Sequence, residues 1–158
     1  MTINKGESLF SLGDLYISDF IKDNSEAKKG KQDLSLFLEH DTKAVRLETV
    51  VDPNLMYGEY WYRSGINATM TKELISIVDD CYGSIPTEPG DVWLDIACND
   101  GTLLKAIPDK MIKVGIDPAD DSYAYESKQV ADLIIQDFFS AKSYKESKYG
   151  DKKPKIIT

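Results

Sequence analysis

Small residues and an acid stand where an apolar run gives way to a predicted helix. The stretch 92–104 reads VWLDIACNDGTLL, and its apolar part includes Asp95. Ala97 and Gly101 are small, and Asn99 tolerates a left-handed conformation. A strand that ends in such a turn directs backbone N–H groups at a ligand above it, which larger side chains would block. These residues therefore indicate a nucleotide-binding strand-turn-helix.

A second acid narrows the choice of nucleotide. Asp117 lies 22 positions after Asp95, at the end of VGID. An acid about 20 residues on commonly accepts hydrogen bonds from ribose hydroxyls. The dinucleotide fingerprint G-x-G-x-x-G is missing, because the turn keeps only Gly101. Since Asp95 can hold an ammonium group, directly or through water, the set favours S-adenosylmethionine and disfavours a dinucleotide-dependent sugar-modifying enzyme.

Further candidate ligand-binding residues follow the third apolar run. The stretch IIQDFF places Asp137 and Phe138 where an adenine ring would lie. A purely structural interpretation stays open, because acids at strand ends are common in α/β proteins and Asn-Asp-Gly is an ordinary turn.

These residues need a parallel sheet to bring them together. After residue 91 the pattern alternates between apolar runs and helical periodicity, which predicts βαβ units. The predicted elements are strand Val92–Ala97, helix Gly101–Ile107, strand Lys113–Asp117, helix Ser122–Val130, strand Leu133–Gln136, a loop or frayed helix over Lys142–Lys153 and a fourth strand beginning at Ile156 and Ile157.

The residues before this region show a different pattern of apolar and polar positions. Residues 1–55 predict a small β-rich lobe, with a strand near Leu9–Ile17, an exposed loop over Lys22–Gln32 and a hairpin around the break at Glu39–Lys43. Residues 56–88 hold an aromatic cluster and a helix over Ala68–Cys81, capped by Thr69 or Thr71 and ended by Gly83 and Pro86. Residues 89–158 form the third predicted region.

Composition excludes several classes of function. The 158-residue chain has 19 basic and 27 acidic residues and a net charge of −8, which disfavours binding to nucleic acid or an acidic membrane. No apolar run reaches the roughly 20 residues of a membrane span, and the first residues lack a secretory signal. Cys81 and Cys98 form no CxxC pair. We expect a cytoplasmic protein without a metal or redox centre.

Four motifs together resemble the sugar-type C-methyltransferase family. They are VDPNLMYGEYWYRSG, PGDVWLDIACNDGTLL, VGIDPA and IIQDFF, and the resemblance extends from about Leu9 to Thr158. Members of that family use S-adenosylmethionine to methylate a carbon of deoxysugar nucleotides, on the class I methyltransferase fold. The resemblance implies an α/β protein with a Rossmann-like parallel sheet after a small β-rich lobe, and a sugar-nucleotide substrate.

The resemblance also assigns roles to residues. Asp95, Ala97, Cys98, Asn99 and Gly101 would surround the methionine part of the cofactor. Asp117 and Pro118 would hold the ribose, with Asp137 and Phe138 beside the adenine. The segment that matches the sugar-nucleotide site contributes Tyr57, Tyr60, Tyr62, Arg63 and Ser64. Arg63 suits a phosphate because a guanidinium binds in a bidentate way; a packing role for the cluster is equally compatible with its composition.

The chain departs from the family's pattern in two places. The family's zinc ligands are cysteines in CxxC pairs, and Glu39 and Thr42 stand where the second pair would fall, so we expect no zinc and a solvated His40. The lobe is then expected to be held by an apolar core, composed of Leu12, Leu36, Leu38, Val45 and Leu47. Ala97 replaces a glycine, and close approach of a ligand requires that its φ stay negative.

A third departure concerns the catalytic half. The family has a seven-stranded sheet and places its acid/base residues in the later strands, whereas this sequence provides three strands and the start of a fourth. It therefore predicts a truncated enzyme part without the catalytic base: a fragment, a split gene product or a reduced binding protein, whose sheet a second chain or self-association could complete. The alternative is a non-catalytic module that pairs with a partner through its open half-sheet.

Overall fold

The computed structural model describes residues 6–17, 30–58 and 60–158, without the side chains of Ser122 and Tyr123. The chain divides into two compact units, Met1–Met56 and Tyr57–Thr158. The elements are β1 Gly6–Tyr16, β2 Lys31–Glu39, β3 Val45–Leu47, α1 Pro53–Tyr57, α2 Ala68–Ser84, β4 Val92–Ile96, α3 Thr102–Ala106, β5 Ile112–Ile116, α4 Asp121–Val130, β6 Leu133–Ile135, α5 Ala141–Lys145 and β7 Ile156–Ile157.

The first unit contains an antiparallel sheet in the order β1-β2-β3. β1 and β2 pair with register shifts between Ser8 and Phe10 and between Ser11 and Asp14. The predicted hairpin between β2 and β3 is confirmed: the Glu39 N–H donates to the Ala44 carbonyl at 2.9 Å. The loop predicted over Lys22–Gln32 falls mostly outside the described residues, and Lys31 and Gln32 begin β2.

The apolar core predicted for this unit is wrong for three of its five residues, and the other two, Leu36 and Leu38, are half-buried. Leu12 is 60% exposed, Val45 is 55% exposed and Leu47 is 43% exposed. Among the described residues of the unit, Ile17 is the one buried apolar side chain. A single sheet buries a face only against a second layer, and α1 offers none, since none of its residues is buried.

The second unit contains a parallel sheet in the order β6-β5-β4-β7, flanked by helices. Counted along the chain within this unit, the order is 3-2-1-4, which is that of the first four strands of a doubly wound Rossmann-like sheet. The alternation of strands and helices predicted from residue 92 onward is therefore confirmed. Ligands of such sheets bind outside the carboxyl ends of the strands, where the order reverses, and here that point lies between β4 and β7.

Helices cover both faces of this sheet. Trp93 points into a cluster with Val78 of α2 and Leu104 of α3. Its neighbours Val92 and Leu94 point to the opposite face, because side chains alternate along a strand. All five of these side chains are at most 2% exposed. The central strands β4 and β5 are thus buried on both faces of the sheet.

Helix α2 begins with a different capping residue from those predicted. The side chain of Asn67 accepts the backbone N–H groups of Thr69 and Met70. An N-cap has extended backbone geometry and precedes the first helical residue, which here is Ala68, so Thr69 and Thr71 lie too late in the chain. In the part of the chain that the structure describes, no helix has both the length and the apolar character needed to cross a membrane.

Candidate functional site

The turn after β4 has an unusual backbone. Ala97, Asn99 and Gly101 have φ values of 61°, 50° and 80°. The left-handed geometry of Asn99 is confirmed, whereas the negative φ that close approach of a ligand to Ala97 would require is not found. The reason is that the N–H groups of Ala97 and Cys98 both donate to the Ile116 carbonyl, so the chain reverses sharply while it is still bonded to β5. Left-handed geometry costs a non-glycine residue about 1–2 kcal/mol.

Gly101 serves packing within the turn. A Cβ at this position would lie 2.8 Å from Cα of Ser127 and 2.9 Å from Cγ2 of Val130, both on α4. The glycine thus permits the close approach of α3 to α4. It lines a separate cavity, together with Gly65, Asp100 and Thr102, and neither of the two cavities described next.

Asp117 follows β5 and organises the neighbouring turn. Its Oδ2 accepts the Asn99 N–H at 2.8 Å, and its Oδ1 accepts the Ala119 N–H at 2.9 Å. Each carboxylate oxygen has a second acceptor position. The side chain is therefore fixed by the backbone while it keeps the capacity to accept hydroxyl groups.

A mostly apolar cavity of about 270 Å³ lies at this edge of the sheet. It is lined by Tyr57, Tyr60, Ile96, Ala97, Asn99, Ile116, Asp117, Pro118, Phe138 and Phe139. The rings of Tyr57 and Tyr60 meet edge to face, with centroids 5.8 Å apart. Aromatic walls beside a single carboxylate suit a flat heterocycle that carries hydroxyl groups.

A second cavity, of about 360 Å³, lies at the reversal of strand order. It is lined by Ser64, Leu74, Ile77, Asp95, Ile96, Ala97, Cys98, Asn99, Thr102, Leu103 and Thr158. Ile96, Ala97 and Asn99 line both cavities. The two cavities therefore adjoin along the turn.

Asp95 lies in the second cavity within a chain of hydrogen bonds. The Trp93 indole N–H donates to Thr158 Oγ1 at 3.0 Å, and that hydroxyl donates to Asp95 Oδ1 at 2.9 Å. Burial raises the pKa of Asp95 to about 6; the Thr158 bond opposes this rise and Asp117 adds to it. Burial likewise raises the pKa of the Cys98 thiol well above its usual range, so the thiol is neutral. A buried acid of this kind gains from a cationic partner.

Besides Gly101, three predicted residues lie outside these two cavities and make contacts of their own. Arg63 Nη1 donates to Glu126 Oε1 at 2.9 Å, in an exposed ion pair. The carboxylate of Asp137 accepts the Phe138 N–H at 2.8 Å. The Tyr62 carbonyl accepts a hydrogen bond from the side chain of Asn99.

Sequence reasoning missed Thr158, Phe139 and Asp100. Thr158 follows the fourth strand of the parallel sheet, so the rule that ligands bind where strand order reverses could have identified it. Phe139 is adjacent to the predicted Phe138. Asp100 is buried and bonds to residues far away in sequence, which no local pattern reveals.

Comparisons with known proteins assign no family. Neither the models of known families nor the curated proteins include a match to this chain. Among the described residues, no group of three or more His, Cys, Asp or Glu side chains is arranged to hold a metal ion. Hypotheses about function therefore depend on the site itself.

Proposed function

We propose that this chain binds S-adenosylmethionine and forms the cofactor-binding part of a sugar-nucleotide C-methyltransferase-like protein of class I fold. The observation that supports this most is the pair of adjoining cavities, one aromatic with Asp117 and the other with the buried Asp95. An elongated ligand with a hydroxylated, flat heterocycle at one end and a cation at the other complements both. S-adenosylmethionine has these groups, and it lacks the pyrophosphate for which a glycine-rich turn would be needed.

Residues of the chain have distinct roles in this proposal. Asp117 accepts the ribose hydroxyls, the aromatic walls enclose the adenine, and Asp95 faces the ammonium group. When bound, the cofactor supplies an electrophilic methyl group on a sulfonium. The chain contributes orientation and exclusion of water, and positioning of this kind accounts for much of the rate of a direct transfer. Tyr57, next to Tyr60 on the wall of the aromatic cavity, is where a sugar-nucleotide acceptor would approach.

A specific observation favours a second candidate, a module that pairs with a partner chain. β7 is an edge strand in the described sheet, and Ile157 on it is 57% exposed. An exposed strand edge is a template for pairing with another chain. This candidate predicts concentration-dependent association without any response to nucleotides.

Calorimetric titration tests the proposal. Saturable heat is expected with S-adenosylmethionine and its demethylated product, and none with NAD. Asp117→Asn should weaken binding by about 10- to 100-fold, because hydrogen bonds to a charged group contribute about 1.5–3 kcal/mol. Asn keeps one acceptor oxygen, so one of the two backbone bonds of the turn, from Asn99 or from Ala119, is lost as well.

The matched control is Asp132→Asn. That carboxylate also accepts a backbone N–H, from Lys113 at 2.8 Å, but at the amino-terminal end of the strands. The affinity of Asp132→Asn for S-adenosylmethionine should equal that of the wild type. Heat with NAD alone would refute the proposal, and silence with all ligands together with self-association would favour the pairing module.

A further inference from the structure

Asn99 uses its whole side-chain amide on one distant segment. Its Oδ1 accepts the Ser64 N–H at 3.1 Å, and its Nδ2 donates to the Tyr62 carbonyl at 2.9 Å. At the same time its backbone N–H donates to Asp117. One residue therefore connects the acidic group of the aromatic cavity to the segment that follows Tyr60.

Asp100, the next residue, also bonds to this segment. Its Oδ2 accepts the Gly65 N–H at 2.8 Å, and its Oδ1 accepts both the N–H and the hydroxyl of Thr102. A Cβ on Gly65 would lie 2.8 Å from the Thr102 hydroxyl oxygen, so the segment is seated closely on the turn. Two consecutive side chains thus hold the backbone of the segment at residues 62, 64 and 65.

The held segment forms part of the aromatic cavity. Tyr60 lines that cavity, and its ring centroid lies 6.2 Å from that of Tyr62 and 6.5 Å from that of Trp61. Ser64 lines the second cavity. Loss of the bonds from the turn would therefore free one wall of each cavity, while the sheet beneath would stay intact.

We infer that Asn99 and Asp100 are positioning residues, which fix the segment 60–65 as a wall of the ligand site and couple its seating to ligand binding. This inference rests on the proposed function and adds a role for the Asn-Asp pair that is separate from contact with the cofactor. Coupling of this kind is reciprocal. A ligand held between Asp117 and Tyr60 slows the opening of the segment, and a loosened segment lowers the affinity for the ligand.

Asn99→Gly is the most selective variant. Glycine accepts the φ of 50° and keeps the backbone N–H that reaches Asp117, so the loss is confined to the Asn99 side chain, which makes the two bonds and also lines both cavities. Hydrogen exchange should speed up by tenfold or more at the Ser64 amide, and the dissociation constant for S-adenosylmethionine should rise by about tenfold. Asn99→Asp keeps the acceptor for Ser64 but turns a carboxylate oxygen toward the Tyr62 carbonyl, so it should not restore the exchange rate of the wild type.

Asp132→Ala is the control for a general loss of stability. It removes a bond from a carboxylate to a backbone N–H at the other end of the sheet, so exchange at Ser64 and ligand affinity should stay at wild-type values. Addition of S-adenosylmethionine to the wild type should slow exchange at Ser64 and Gly65. In Asn99→Gly the ligand should slow this exchange by a smaller factor, whereas an equal factor would show a merely structural contact.

The outcomes separate the two claims. If the wild type binds the ligand and Asn99→Gly loosens Ser64 without any change in affinity, the positioning role is overturned and the proposed function stands. Unchanged exchange at Ser64 in Asn99→Gly overturns the positioning role as well. If the wild type fails to bind the ligand, both the proposed function and the inference that rests on it are overturned.

Discussion

The two units of the chain differ in how far they bury their apolar residues. In the unit Tyr57–Thr158, the strands lie between helices, and side chains such as Trp93 and Leu104 are completely buried. In the unit Met1–Met56, a three-stranded sheet exposes Phe10 by 53% and Leu12 by 60%. Both units contain apolar strands, but only in the second unit do the described residues include a second layer that covers the sheet.

This contrast explains where a binding site can form. A ligand site requires side chains held in fixed positions, and the doubly covered sheet fixes Asp95 and Asp117 at the ends of adjacent strands. The strain of a left-handed Ala97 is tolerated in the same place, because the surrounding bonds to Ile116 determine the turn. The sheet of the first unit has no comparable support in its described residues.

A leucine-to-alanine substitution should show the largest difference between the two units in its effect on the free energy of unfolding. Leu104→Ala should lower the free energy of unfolding by about 3 kcal/mol, because it leaves a cavity in a packed core. Leu12→Ala should change it by less than about 0.5 kcal/mol, because the side chain is already exposed. Urea unfolding followed by circular dichroism measures both, and equal losses would contradict the contrast.

Two glycines with positive φ allow a second comparison, within the sheet unit. Gly101→Ala should cost about 2–3 kcal/mol, because the new methyl group meets Ser127 and Val130 and the backbone is strained as well. Gly90→Ala, with a φ of 88° and open space around it, should cost only about 1 kcal/mol of strain. Thermal unfolding of the two variants checks this, and the reverse order would refute the packing role of Gly101.

The buried acid of the sheet unit should make stability depend on pH. The pKa of Asp95 is about 6 in the folded chain and about 3.8 when the chain is unfolded, so the folded state retains a proton that the unfolded state releases. This contribution is complete below about pH 4 and is lost as the pH rises through 6. Asp95→Asn should therefore stabilise the fold by about 1–2 kcal/mol at pH 7 and by less at pH 5.

Urea unfolding at the two pH values measures this effect. Thr158→Val removes the hydroxyl that donates to Asp95, and it should enlarge the pH dependence. If Asp95→Asn raises the free energy of unfolding by the same amount at both pH values, the assignment of the proton to Asp95 is contradicted.

The smallest effect is expected in the first unit. Lys43 has a φ of 59° in the turn between β2 and β3. Lys43→Gly should stabilise the hairpin by about 0.5 kcal/mol, because glycine removes the left-handed strain but has more freedom to lose on folding. Hydrogen exchange at the Glu39 amide, which bonds across the turn, should slow about twofold. Faster exchange would show that the turn geometry is not strained.

The sequence predicts the parts of the fold that depend on local pattern. The apolar runs around Trp93 and Val114 and the turn residues between them were sufficient for the order of strands and helices. Periodicity indicates which face of a strand is apolar but not whether anything covers it, so the burial of Leu12 was wrongly predicted. The bonds from Asn99 to Tyr62 and Ser64 link positions more than 30 residues apart, and the positive φ of Ala97 runs against its residue type.

The structure of the chain bound to the demethylated product of S-adenosylmethionine is the most direct test of the central claim. We predict that the adenine lies between Tyr60 and Phe138, that the ribose hydroxyls lie within hydrogen-bond distance of Asp117, and that the ammonium group lies beside Asp95. A ligand found elsewhere on the surface, or crystals in which both cavities stay empty at saturating ligand, would contradict the account.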